Sequence, residues 1–380
     1  MNDARGTSTL ASRTLASRVR RHWATVIPLL ALVAVVVTWG QTLAPLGNVL
    51  VGLVLIGAVL AAVHHAEVVA HRVGEPFGSL TLAVAVTVIE VGLILTLMLS
   101  GGPDTASLAR DTVFAAVMIT CNGIVGLAVL LGSIKHGLPR FNAEGAGAAL
   151  AVVATLATLT LVLPNFTTSL PGPEFSPSQL GFAAVSSLVL YAAFVFTQTV
   201  RHRSFFLPVP PPSKSARRKE EDDHVPVPSN RTALSSFALL IVALVAVVVL
   251  AKTISPAIEA GVAAAGIPHS FVGVVIALLV LLPEGLSSAR SAIRNRMQTS
   301  FNLAYGSAMA SIGLTIPAIA VASIWLSGPL VLGLGSTQIV LLVLTMLVSV
   351  LTVMPGRVTR LQGALHLILF AAFLFLAINP

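Results

Sequence analysis

Glu90 stands in the stretch LAVAVTVIEVGLILTL, residues 82–97, and is the single charge between Gly78 and Ser100. Glu284 is similarly embedded in the second half of the chain, in LLPEGLSS. Of 14 acidic residues these two alone lie deep within apolar runs; the others fall in tails, loops or near the ends of such runs. A carboxylate in hydrocarbon costs several kcal/mol, so it is rarely incidental. Burial disfavours the ionised form and a bound cation favours it, so proton and cation compete for such a group. Oxygen donors of the kind a hard cation takes surround both acids. Thr87 lies three residues before Glu90, on the same helix face. Pro283 directly precedes Glu284, is expected to interrupt its helix and would free backbone carbonyls. MITCNGIVG carries Asn122, and GSAMASIGLTIP carries Ser307, Ser311 and Thr315. Glu90 and Glu284 are the two carboxylates that would neutralise one divalent metal ion, with Thr87, Asn122, Ser307 and Ser311 as further cation and proton ligands. For any single hydroxyl, close helix packing by small residues is the competing explanation.

The elements that must position these residues are membrane helices. The chain of 380 residues is 56% hydrophobic and 9% charged, with a mean hydropathy of +0.95. A soluble domain has roughly a quarter charged residues, so the composition defines an all-α polytopic membrane protein. Apolar runs of spanning length occur at 24–40, 46–65, 78–100, 110–134, 145–163, 177–199, 234–253, 268–289, 300–326, 329–353 and 361–379, about 11 transmembrane helices. The first run has a basic lead and lacks a small-residue cleavage site, which favours a retained helix over a signal peptide. The lone cysteine, Cys121, excludes a disulfide framework.

Lys and Arg fall on alternate connections. Twenty of the 22 lie in segments that are cytoplasmic when the N-terminus is inside; Arg110 and Lys252 are the exceptions. The formal charge of +8 is therefore topology, and no nucleic-acid partner is implied. Residues 1–22 form a basic cytoplasmic tail and 23–45 an extra N-terminal helix. Residues 46–199 form a first transmembrane repeat, and the Pro-rich, charged stretch 200–233 a cytoplasmic linker expected to be extended. Residues 234–380 form a second repeat. The two five-helix units start on opposite sides, which is the pattern of inverted repeats, and the two acids occupy the second helix of each.

AEVVAHRVGEPFGSLTLAVAVTVIE, residues 66–90, resembles the first signature of the cation/proton exchangers in the calcium:cation antiporter superfamily, through Glu67, Gly74, Glu75 and Glu90. VMITCN, ending at Asn122, resembles the following block. LLPEGLSSARSAIRNRMQTSFNLAYGSAMASI resembles the mirrored signature, with Glu284 in place of its Glu and Gly306-Ser307 in place of its Gly-Ser pair. The likeness is greatest to the bacterial ChaA-type branch, calcium or sodium-potassium:proton antiporters, and covers nearly all of 46–379. It departs from that pattern at Thr87 and Leu281, where the family has Asn, and at Pro283. Loss of both amides leaves monovalent cations open beside calcium.

The resemblance implies export of cytoplasmic Ca2+, Na+ or K+ against protons by alternating access, with no cofactor beyond the transported ions. A cation channel or another proton-coupled solute transporter is the alternative, although a channel would need a continuous polar lining. An intramembrane enzyme is less favoured, since neither HExxH nor GxSxG occurs. His64, Glu67 and His71 share a helix face, and with Glu75 they could form a cytoplasmic cation funnel or pH sensor. Membrane lipid is the remaining partner, and a homo-oligomer is left open. The expected location is the bacterial inner membrane, multi-pass, with the N-terminus cytoplasmic and the C-terminus outside. A reporter enzyme active only outside the cytoplasm, fused at Pro380, is expected to be active; an inactive fusion would reverse the topology.

Overall fold

The computed structural model describes residues 22–41, 43–74, 77–100, 106–209, 228–325 and 328–380. Glu75, the basic tail over 1–21 and linker residues 210–227, including the acidic run at 220–223, lie outside the described residues. The helices are α1 (His22–Thr38), α2 (Pro45–Val73), α3 (Phe77–Ser100), α4 (Leu108–His136), α5 (Ala143–Phe166) and α6 (Pro177–Arg201). Then follow α7 (Asn230–Ala264), α8 (Phe271–Ile293), α9 (Met297–Ala322), α10 (Ser336–Val353) and α11 (Arg360–Ile378). Among the described residues, nine of these are long and apolar enough to cross a membrane, and α1 and α3 are apolar as well. The protein is thus an all-α polytopic membrane protein. Apolar side chains such as Leu29, Val33 and Val36 of α1 point outward, as lipid contact requires.

Several elements differ from the sequence expectation for identifiable reasons. The run 329–353 is not helical from its start. Residues 328–335 form an irregular segment, and α10 begins at Ser336. Hydropathy alone cannot separate a buried irregular segment from a helix. Helix α7 continues past Lys252 and through Pro256 to Ala264. Pro283 does not interrupt α8, which is continuous from Phe271 to Ile293. Membrane helices tolerate proline because their neighbours re-satisfy the freed groups. The bond that Pro283 cannot make leaves the Leu279 carbonyl without its usual helical donor. Helix α4 contains a π-helical turn at Ile119–Ile124, and the first linker residues form a short helix, Arg203–Phe206, that buries Phe206 against Phe194.

The connections identify two faces. On one, which carries Arg72, Lys135, Arg140, Arg290 and Arg357 and is called the basic face, Phe141 N donates to Gly356 O and Val358 N to Pro139 O. Asn142 N donates to Gln298 there, and Asn302 to Phe206 O. On the opposite face, Val331 N donates to Ala106 O, Gly333 N to Pro173 O and Leu334 N to Leu161 O. The first half of the chain is therefore tied to the second at both faces.

Buried apolar side chains fall into two main bodies. One joins residues of α1, α2, α3 and α7 with Val272, Ile276 and Val280 of α8. The other joins α4, α5, α6, α9, α10 and α11 with Val274, Ala277 and Leu281 of α8. Helix α8 thus faces both. The extensive contacts come in matched sets: α2 packs on α7, α3 on α9 and α8 on α4, while α6 packs on α9 and α11 on α4.

Glycine permits the last of these. A Cβ on Gly363 would lie 2.7 Å from Leu130 N, and one on Gly126 would lie 2.9 Å from His366 Cβ, so α4 and α11 meet backbone to backbone. Gly363→Val is expected to cost about 1–3 kcal/mol of stability and to lower the melting temperature of the purified protein. Gly181→Val, where an added Cβ meets nothing within 4 Å, is the control, and an equal effect of both would refute the close-packing account.

Candidate cation site

Glu90, midway along α3, is buried to 2% exposure. Its Oε2 accepts a hydrogen bond from Ser311 Oγ of α9 at 2.8 Å. Thr315, one turn further along α9, approaches the same carboxyl. Glu284 reaches the same region from α8 at 9% exposure, within electrostatic range of Glu90 and of Glu67. The two embedded acids are therefore within electrostatic range of each other, and Ser311 and Thr315 of α9 reach Glu90.

Four oxygens at this place have no hydrogen-bond partner among the described residues: Glu90 Oε1, Glu284 Oε2, Thr87 Oγ1 and Thr315 Oγ1. The two threonines depart from the habit of the chain. Thr96, Thr112, Thr120 and Thr160 all return their hydroxyls to the carbonyl four residues back. Thr87 and Thr315 do not, although both are buried. An unsatisfied buried polar group costs about 1–3 kcal/mol, and these four oxygens are free to accept a hydrogen bond or to ligate a cation. Two buried carboxylates in mutual range also cannot both stay ionised without a counter-charge. A proton on each, or a cation between them, supplies it. Among the described residues, no three His, Cys, Asp or Glu side chains gather as metal ligands. A cation would accordingly take carboxylate oxygens together with hydroxyls and carbonyls, a donor set for hard ions.

The remaining sequence candidates are placed differently. Ser307 lines a cavity of about 210 Å3 with Glu284. Asn122, in the π-helical turn of α4, has its amide committed elsewhere: its Nδ2 donates to Thr345 at 2.8 Å and its Oδ1 pairs with His366 Nδ1 at 3.1 Å. His366 Nε2 in turn pairs with Thr352 at 3.1 Å, closing a buried network between α4, α10 and α11. His64 packs at a tilt against Trp23 of α1 and edge-on to His65, and His71 is exposed. Glu67 is exposed on α2, in range of Arg290 and Glu284. Thr315 is the site residue that the sequence reading left out of its ligand set. Its signal was the four-residue spacing from Ser311, which puts both hydroxyls on one face of α9.

The chain belongs to the sodium/calcium exchanger protein family, whose model matches residues 43–200 and 235–379. It is 45% identical over 365 residues to y4hA of Sinorhizobium fredii, assigned as an ionic transporter, covering 94% of this chain and 96% of that one. It is 36% identical over 355 residues to the sodium-potassium/proton antiporter ChaA of Escherichia coli, covering 92% and 94%. The fold is similar to the solved structure of native YfkE, with a TM-score of 0.69 at 16% identity, covering 94% of this chain and 99% of that one. The matched segments include both acid-bearing helices and stop short of most of the linker.

Ser311→Ala removes the one hydrogen bond that Glu90 makes to α9. A bond to a charged group contributes about 1.5–3 kcal/mol, so the cation concentration for half-maximal exchange is expected to rise roughly tenfold or more. Ser311→Thr keeps the hydroxyl and is expected to stay near wild type. Unchanged cation dependence in Ser311→Ala would remove Ser311 from the site.

Proposed function

We propose that this cation:proton antiporter exports Ca2+, Na+ or K+ from the cytoplasm in exchange for external protons, with Glu90 and Glu284 carrying either charge in turn. The observation that carries the reading is the convergence of two buried carboxylates from different halves of the chain, each with an unpaired oxygen. Thr87, Ser311 and Thr315 complete the ligand set, and Ser307 lies on the approach through the cavity beside Glu284. Asn122 joins only if its bonds to Thr345 and His366 open.

Alternating access is supported by the two packed bodies. A cation bound between Glu90 or Glu284 on one side and Ser311 and Thr315 on the other contacts both, so relative movement of the bodies re-exposes it. The matched helix contacts support two inverted five-helix repeats, with α1 supernumerary. By the distribution of Lys and Arg the basic face is cytoplasmic, in a bacterial inner membrane. Two carboxylates suit a divalent ion, while the name of the Escherichia coli relative supports sodium and potassium.

Everted vesicles holding a proton gradient, read with a pH-sensitive dye and challenged in turn with calcium, sodium and potassium, test the reading. Wild type is expected to dissipate the gradient with at least one of the three. Glu90→Gln and Glu284→Gln, which keep shape and lose charge, are expected to insert normally and to abolish exchange at any cation concentration. Glu90→Asp retains a shorter carboxylate and should keep residual exchange at lower affinity. Wild-type exchange by either Gln variant would demote that residue to a structural group.

A further inference from the structure

Glu284 looks into a cavity whose walls are largely hydrocarbon. Tyr191, Phe194 and Val195 of α6 form one side, and Leu303 and Met309 of α9 the other. Gln198, Thr299 and Asn302 are the polar groups towards the basic face. Helices α3 and α6 both pack on α9, and Ala83 and Val86 of α3 complete the lining. An inorganic cation gains its binding energy from oxygens, and these walls offer it few. An organic ammonium uses both features: its charge pairs with the carboxylate, and its hydrocarbon leaves water. Aromatic faces in the wall suit a cation further.

We propose that this cavity is a binding site for small alkylammonium ions, with the ammonium at Glu284 and the alkyl chain between α6 and α9. It rests on the reading of Glu284 as a cation-binding carboxylate, and adds a ligand class with its own selectivity. The volume sets the size. Drug-sized ligands occupy sites of about 300–1,000 Å3, so a half-open cavity of about 210 Å3 covers a few carbons of the chain, and the rest of a longer chain passes out of its open side. Bound there, the ammonium occupies Glu284 and competes with the transported cation. Gly306 offers a handle on the length limit, because it lines the cavity and an added Cβ meets nothing within 4 Å. A side chain at this position grows into open space.

The test is calorimetric titration of the purified full-length protein in detergent with ethyl-, butyl-, hexyl- and octylammonium chloride, with empty micelles as reference. Affinity is expected to rise about fourfold per added methylene until the cavity is full, and then to stop rising. Gly306→Leu, and Val195→Phe on the facing wall, are each expected to move that limit to a shorter chain. Glu284→Gln is expected to lose saturable binding. Affinity that climbs with chain length equally in wild type and both wall variants would place the chain in detergent and overturn the proposal, as would full binding by Glu284→Gln. Cation:proton exchange without alkylammonium binding removes the cavity proposal alone. Alkylammonium binding without any exchange removes the transport reading and leaves the cavity.

Discussion

The structure brings two buried carboxyls, Glu90 of α3 and Glu284 of α8, within electrostatic range of each other. Two carboxylates in a membrane interior repel each other and are poorly solvated, so their juxtaposition is stable only with a compensating charge or protons. Much else follows from holding them there. Helices α3 and α8 each supply one buried acid, and α9 brings Ser311 and Thr315 to Glu90. The hydroxyls of Thr87 and Thr315 stay off their own helices. Each of these arrangements suits oxygens that ligate an ion.

A strained centre needs a stiff frame. The frame is the backbone pinning at both faces, where residues 139–142 join 356–358 and residues 161–173 join 331–334. Close glycine-mediated approach of α4 and α11, and of α9 to Tyr191 at Gly313, gives the larger body its rigidity. Among the described residues the smaller body makes no comparable backbone bonds to it, and it meets the larger one largely through helix faces.

The network of Asn122, His366, Thr345 and Thr352 has a different character. Every polar atom of the amide and imidazole is matched by a partner, as buried polar groups in a fixed core require. Its satisfaction contrasts with the unpaired oxygens around Glu90 and Glu284. The paired groups hold α4, α10 and α11 together. On this physical ground the proposed site is the two acids and the hydroxyls of α3 and α9, and Asn122 is a structural group.

Membrane insertion, the helical class and nearly every span were determined by the sequence itself, because a bilayer admits few backbone solutions and hydropathy reads them directly. The two embedded acids were legible for the same reason: a charge in an apolar run is conspicuous. Asn122 and Ser307 were legible as oxygen donors within apolar runs, and the resembled family motifs fall on them as well. Tertiary structure alone decided which hydroxyls face the acids. Thr315 and Ser311 sit one turn apart on α9, but nothing local says that this face meets Glu90 of α3, more than 220 residues away in sequence. Nor could sequence show that Asn122 is held by His366, or that 328–335 is irregular and α8 runs through Pro283. These are settled by which partners long-range packing delivers, and apolar periodicity carries no record of partners.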